Sequence, residues 1–248
     1  EASGRVRETQ GRASLRFSRV GERTVVTEVR ATSPLRVLTP RMAGSRAAWA
    51  FTSTFGGGLL EGDRVEMDVE AEAGTECYLG TQSSTKVYRS AGGGTARQTL
   101  RAVVGTEAVL VVTPDAGVCV RDARYMQRQR FEVAASGSLV LFDWFTSGRH
   151  ACGERWQFHA LSSRNEVNVG GRRLVTDALL LDERAGPLAG HARTGGLDCY
   201  ATLVVCGPRV EGAARAMLEE IGGTPLRKGE TLRVAGSGIC GGGGAIVR

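Results

Sequence analysis

Lysine is nearly missing from this 248-residue chain: Lys86 and Lys228 are the only two, so arginine carries almost all of the formal net charge of +6. Arginine pairs in a bidentate way with carboxylates and phosphates, which suits an acidic protein partner or a nucleic acid. The arginines are scattered among 26 acidic residues, with no basic block and no interleaved aromatics. That is the pattern of a well-mixed surface, and no nucleic-acid interface is expected. Long apolar runs are missing too. None approaches 18 residues, so no membrane-spanning helix is expected. None of the six cysteines (Cys77, Cys119, Cys152, Cys199, Cys206, Cys240) forms a C-x-x-C pair. A secreted disulfide framework is normally denser, so reduced thiols in a cytoplasmic protein are the simpler reading.

The familiar catalytic signatures are also absent. There is no G-x-S-x-G elbow, no H-E-x-x-H and no Walker loop, and no enzyme is expected. A G-x-G-x-x-G string does occur at Gly236, Gly238 and Gly241, but it runs into more glycine and then a strand-like Ala245-Ile246-Val247. A dinucleotide fingerprint opens a helix after a strand, so this one reads as a glycine-rich loop. The three histidines are His150, His159 and His191. Cys152 lies two residues from His150, and on a strand the two would share a face. That pair is either a transient soft-metal site or a surface histidine beside an ordinary thiol.

What the chain has in excess is glycine, 35 residues or about twice the usual share. Turns such as Gly56-Gly57-Gly58, Gly92-Gly93-Gly94 and Gly170-Gly171 separate short strand-like segments. From Arg64 to Glu72, Val65, Met67, Val69 and Ala71 alternate with acidic residues, which predicts a half-buried strand. Gln127, Gln129, Phe131 and Val133 alternate with Arg128, Arg130 and Glu132 in the same way. Continuous apolar runs over 108–113, 138–145 and 174–181 read as strands covered on both faces, and 200–206 as a further strand. One helix is expected after Gly207-Pro208, where Val210, Ala213, Ala214, Met217, Leu218 and Ile221 share a face and Gly222 supplies the stop. The expected fold is therefore mainly β: stacked β-sheets of solenoid-like or sandwich character, with a few α-helices towards the C-terminal part. No linker or fixed-period repeat is visible, so 1–248 is read as a single domain.

Two segments carry polar groups where structure alone does not require them. Thr81-Gln82-Ser83-Ser84-Thr85-Lys86-Val87-Tyr88-Arg89-Ser90 follows a clear strand and bears hydroxyls on both faces. It is either an edge strand or loop in water or a polar strand lining a wet interior passage. Asp143 sits within an apolar run, Leu139-Val140-Leu141-Phe142-Asp143-Trp144-Phe145. A charge there needs a partner, with Arg149 or Arg155 as the nearby candidates, or else a polar channel where it touches a passing cation.

Read in order, these segments resemble the UreD family of urease accessory proteins. The matching words are Ser33-Pro34-Leu35-Arg36, Phe55 to Asp63, Thr81 to Ser90, Pro114-Asp115, Ala123 to Gln127, Asp143 to Arg149 and Gly153-Glu154-Arg155-Trp156. Their order holds from about residue 30 to 185. His150 after Thr-Ser-Gly-Arg, and Ala48-Trp49 before the glycine triplet, look closer to plant and algal members. The stretch after Pro114-Asp115 lacks the second proline of the family, and the chain stops where the family normally continues into a closing helix. The first residue is Glu1, so a leader or further N-terminal residues are expected to be missing.

The resemblance implies a β-rich scaffold in a cytoplasmic complex with UreF-type and UreG-type proteins that docks on apo-urease. It implies an internal tunnel for transient Ni²⁺ and no tightly bound cofactor. Carried onto this sequence, Asp63, Thr81, Ser83, Ser84, Thr85, Asp143 and Glu154 would line or border the passage. Lys86, Arg89, Arg149 and Arg155 would brace carboxylates or meet partners. The rival expectations are a passive tether of the GTPase complex, which conducts no metal, and an all-β hydrolase.

Overall fold

The computed structural model describes residues 9–225, 231–239 and 243–248. Cys240 and Gly241 lie outside the described residues. The chain begins with an antiparallel pair, β1 (Gln10–Val20) and β2 (Arg23–Ala31), in a first sheet. It crosses to a second sheet for another antiparallel pair, β3 (Leu35–Leu38) and β4 (Ala48–Thr54). It then alternates. β5 (Arg64–Ala71) lies in the first sheet, with β6 (Glu76–Thr81) and β7 (Thr85–Val87) in the second. β8 (Ala96–Val104) is again in the first, and β9 (Val109–Val112) and β10 (Gly117–Cys119) are in the second. β11 (Arg124–Val133) returns to the first, β12 (Ser138–Thr146) to the second, and β13 (Ala160–Val169) and β14 (Arg172–Asp182) to the first. After the single turn α1 (His191–Thr194), β15 (Cys199–Cys206), α2 (Glu211–Gly222), β16 (Gly236–Gly238) and β17 (Gly244–Val247) complete the second sheet and its cover.

The spatial order of the first sheet is β14-β13-β11-β8-β5-β1-β2, and the path through the second is β16-β17-β15-β12-β9-β6-β4-β3. Strands β1, β5, β8, β11 and β13 are mutually parallel, as are β4, β6, β9 and β12. The antiparallel strands stand at the margins. The result is a stack of coils, each giving one strand to either sheet, so the mainly β, solenoid-like expectation holds. The coils are unequal: first-sheet strands start at residues 64, 96, 124 and 160. That inequality is why no fixed period shows in the sequence.

Alternation drives the assembly. In β5, Val65, Met67, Val69 and Ala71 are buried between the sheets while Arg64, Asp68 and Glu70 face out. Arg16 pairs with Glu70 at 2.9 Å and Arg101 with Asp68 at 3.6 Å on that wet face. Such exposed pairs add little, about 0–1 kcal/mol each. Burial of side chains such as Phe17, Phe131 and Phe158, each at most 1% exposed, contributes about 1.5–3 kcal/mol apiece. The expected helix forms as α2, whose Ala214, Met217 and Leu218 pack with Val210 over Val205 and Ala245 on the outer face of the second sheet. Among the described residues, no helix is long and apolar enough to cross a membrane.

Two local readings are decided. The polar segment 81–90 is part strand and part loop: β6 ends at Thr81, residues 82–84 form a loop, and β7 spans only Thr85–Val87. Gly236 and Gly238, expected in a glycine-rich loop, lie in β16, an edge strand paired with β17, and none of the described residues after it is helical.

A polar cavity between the sheets

Parallel register decides which side chains meet inside. Gln127 on β11 stands level with Gln98 on β8 and Ser163 on β13, and Gln129 stands level with Leu100 and Asn165. From the facing sheet, β12 projects Asp143, which is 5% exposed, between Leu141 and Phe145. Asp143 Oδ1 accepts a hydrogen bond from Gln127 Nε2 at 2.8 Å. Its Oδ2 accepts from Ser163 Oγ at 3.0 Å and from Asn165 Nδ2 at 2.9 Å. Gln129 Nε2 donates to Asn165 Oδ1 at 3.0 Å, and the Tyr125 hydroxyl bridges Gln98 and Gln127. Burial pushes the Asp143 carboxyl above the ordinary carboxylate value, and the three hydrogen bonds pull part of that back.

Among the described residues no arginine reaches this carboxylate, which corrects the expectation of an ion pair with Arg149 or Arg155. Arg149 instead donates to Glu154 (Nε to Oε2, 3.1 Å), and Arg155 pairs with Asp198. A buried carboxylate surrounded by neutral donors is costly to desolvate, and it stays attractive to a cation.

A cavity of about 210 Å³ opens from this cluster towards the surface. Gln127, Gln129 and Asp143 line it, as do Thr52, Thr81, Ser83, Ser84, Thr85 and Asp115, while Leu35, Met67, Leu79, Leu100, Val112 and Phe145 give it apolar wall as well. The turn after β6 is pinned by Thr81, whose hydroxyl donates to Asp115 Oδ2 at 3.1 Å and accepts from the Asp115 amide at 2.8 Å. Trp144 Nε1 donates to the Pro114 carbonyl at 2.9 Å and fixes the adjoining lip. The structure therefore brings Thr81, Ser83, Ser84, Thr85 and Asp143 together around one space.

Asp63 and Glu154 do not line it. Asp63 accepts from the amides of Leu60 at 2.8 Å and Thr9 at 3.2 Å, which closes the turn before β5. Glu154 is 6% exposed and held by Arg149 and by the Arg121 amide at 3.3 Å. The Arg149 hydrogen bond is the main reason its carboxyl lies below the usual range. Lys86 and Arg89 are exposed, and the Lys86 carbonyl accepts from the Leu59 amide at 2.8 Å. His150 and Cys152 lie in a 3-10 turn (His150–Cys152), where residues two apart do not share a face, so the strand geometry behind a joint soft-metal site is absent. His150 Nε2 is instead 3.6 Å from Asp198. Among the described residues, no group of three or more histidine, cysteine, aspartate or glutamate side chains is placed to hold a metal.

The residues missed from sequence are Gln98, Tyr125, Gln127, Gln129, Ser163 and Asn165. A signal was there: Gln127 and Gln129 share the alternating face of Phe131 and Val133, so amides fall where apolar side chains belong.

A profile described as UreD urease accessory protein matches residues 9–248. The chain is 43% identical over 238 residues to the urease accessory protein UreD of Sorangium cellulosum, covering 96% of this chain and 74% of that protein. It is 40% identical over 242 residues to UreD of Anaeromyxobacter, covering 92% and 80%. With urease accessory protein D of Arabidopsis thaliana it shares 40% identity over 171 residues, covering 67% and 58%.

Proposed function

Since the chain belongs to the UreD family of urease accessory proteins, whose role is urease maturation, we propose that it passes Ni²⁺ through its interior to apo-urease. It does so within a complex of UreF-type and UreG-type partners. The observation that carries this reading is the 210 Å³ cavity between the sheets, lined by the hydroxyls of Thr81, Ser84 and Thr85 and with Asp143 at its buried end. A space of that size admits several waters, each needing about 10–15 Å³. A hydrated ion is therefore not forced to shed its whole shell at once.

The donor chemistry fits a cargo that must leave again. Neutral oxygens and a single carboxylate hold a borderline cation weakly, whereas clustered thiolates would trap it. The buried thiols offer no such trap. Burial pushes Cys77 up to about 12 and Cys119 well above its ordinary value, so both stay protonated.

The test is urease activation in cells carrying the full accessory set, with Asp143→Leu and Ser84→Leu. Activity per urease molecule and urease nickel content are expected to fall at least about tenfold, with the accessory complex still recovered on apo-urease. A tenfold loss corresponds to about 1.4 kcal/mol. Full activation by soluble variant protein would leave the tether role standing and remove the conduit.

A further inference from the structure

The polar interior does not stop where the cavity stops. Behind Asp143, Asn165 donates to its carboxylate at 2.9 Å, and Asn165 is paired across β13 and β14 with Asp177. Asp177 is only 4% exposed. Its Oδ1 is held from outside by Arg248, through Nη2 at 2.8 Å and Nε at 3.3 Å. The Arg248 side chain is 47% exposed, so the oxygens of the interior reach solvent through a guanidinium.

A second observation lies on the facing sheet. Thr202 on β15 is the direct partner of Asp143 on β12 and shares its interior face. It is 1% exposed, and its hydroxyl makes no hydrogen bond among the described residues. A buried hydroxyl with no partner normally costs about 1–3 kcal/mol. Here it stands across from Asp143, whose carboxyl the nearby charge of Asp177 helps to push up. The Asp143 carboxylate, the unpartnered Thr202 hydroxyl and the Asp177 carboxylate are oxygen donors of the kind a hard or borderline divalent cation takes.

We propose that Arg248 is a latch on this set. Its guanidinium takes the counter-charge position at Asp177 and closes the far end of the polar interior to divalent cations. The inference rests on the passage reading above, since a latch matters only where an ion travels.

The element that carries the latch is lightly held. Arg248 follows β17 and exchanges two backbone hydrogen bonds with Ala235, both at 2.8 Å, and among the described residues β16 and β17 form the marginal pair of the second sheet. Such a margin opens more readily than the strands of the core. Displacing it withdraws the guanidinium and leaves Asp177 free to accept a cation. While latched, the positive charge repels an incoming divalent ion at short range.

The experiment is equilibrium dialysis of the purified chain against NiCl₂ alone, without urease or accessory partners. Arg248→Ala is expected to bind one Ni²⁺ at least about tenfold more tightly than the parent. Arg248→Lys, which keeps the charge, is expected to match the parent, and Arg248→Ala with Asp177→Asn is expected to lose the gain. If Arg248→Ala does not fold, Arg248→Gln keeps a donor towards Asp177 and removes only the charge. Folded Arg248→Ala and Arg248→Gln proteins that bind Ni²⁺ no more tightly than the parent overturn the latch. The readout is separate from urease activation. Activation intact in Asp143→Leu with a Ni²⁺ gain in Arg248→Ala removes the passage and keeps the cation set. Lost activation with no gain removes the latch alone.

Discussion

Asp143 occupies a position where burial and hydrogen bonding pull in opposite directions. Desolvation raises its carboxyl, the bonds from Asn165, Gln127 and Ser163 lower it, and Asp177 raises it again, leaving a net upward shift. The folded value therefore lies above the unfolded one, and between the two the native state holds more protons than the unfolded chain. Stability contributed by this group is highest below the unfolded value, falls as pH rises through the window, and is constant above the folded value. Asp143→Asn does not titrate there. Urea midpoints of both proteins between about pH 4 and about pH 7 should show the asparagine variant gaining on the parent through that window. A difference that stays constant with pH contradicts the raised carboxyl. The acid itself was legible in the sequence as a charge in an apolar run, but its partners were not. They lie 16, 20 and 22 residues away on other strands, and parallel register brings them in. The nearer arginines, chosen by sequence distance, are taken by Glu154 and Asp198.

At the scale of elements, the glycine triplet before β5 shows two separate reasons for glycine. Gly56 has φ 82, a left-handed conformation, and a Cβ there would meet nothing within 4 Å. Gly58 is extended, but a Cβ would press on the Lys86 carbonyl and lie 2.8 Å from the Tyr88 ring. Close approach of this loop to β7 is what lets the Leu59 amide donate to the Lys86 carbonyl and the Leu59 carbonyl accept from the Tyr88 amide beside the polar turn. Gly58→Ala should cost about 1–3 kcal/mol through overpacking, and Gly56→Ala about 1–2 kcal/mol through backbone strain alone. Urea denaturation measures both, and an unchanged midpoint for Gly58→Ala refutes the close approach. Elements with a clean period were readable: β5, β9, β12, β15 and α2 lie where alternation, apolar runs and helical spacing put them. The segment after β6 stayed open between strand and loop, because the partner of Thr81 is Asp115, 34 residues away in sequence, and the strand ends at that contact.

For the whole molecule, the decisive contacts are those between coils. β1 runs parallel to β5 although their paired residues, Gln10 with Arg64 and Phe17 with Ala71, lie 54 apart in sequence. β2 then closes that margin in antiparallel fashion, as β14 closes the other. Each coil touches only its neighbours, so the marginal strands protect the stack, as caps do in a solenoid. A chain without residues 9–31 loses both β1 and β2. It leaves the eight residues of β5 (Arg64–Ala71) with one row of unpaired amides and carbonyls. It also removes Leu15 and Phe17, at most 2% exposed, from the core. A parallel strand newly at the edge, with its apolar face half uncovered, is a template for pairing with another chain. The truncated protein should therefore elute as aggregate in size-exclusion chromatography under conditions where the full chain elutes as a single discrete species. A truncated chain that stays discrete and melts cooperatively would mean that β5 is held by the inner coils alone.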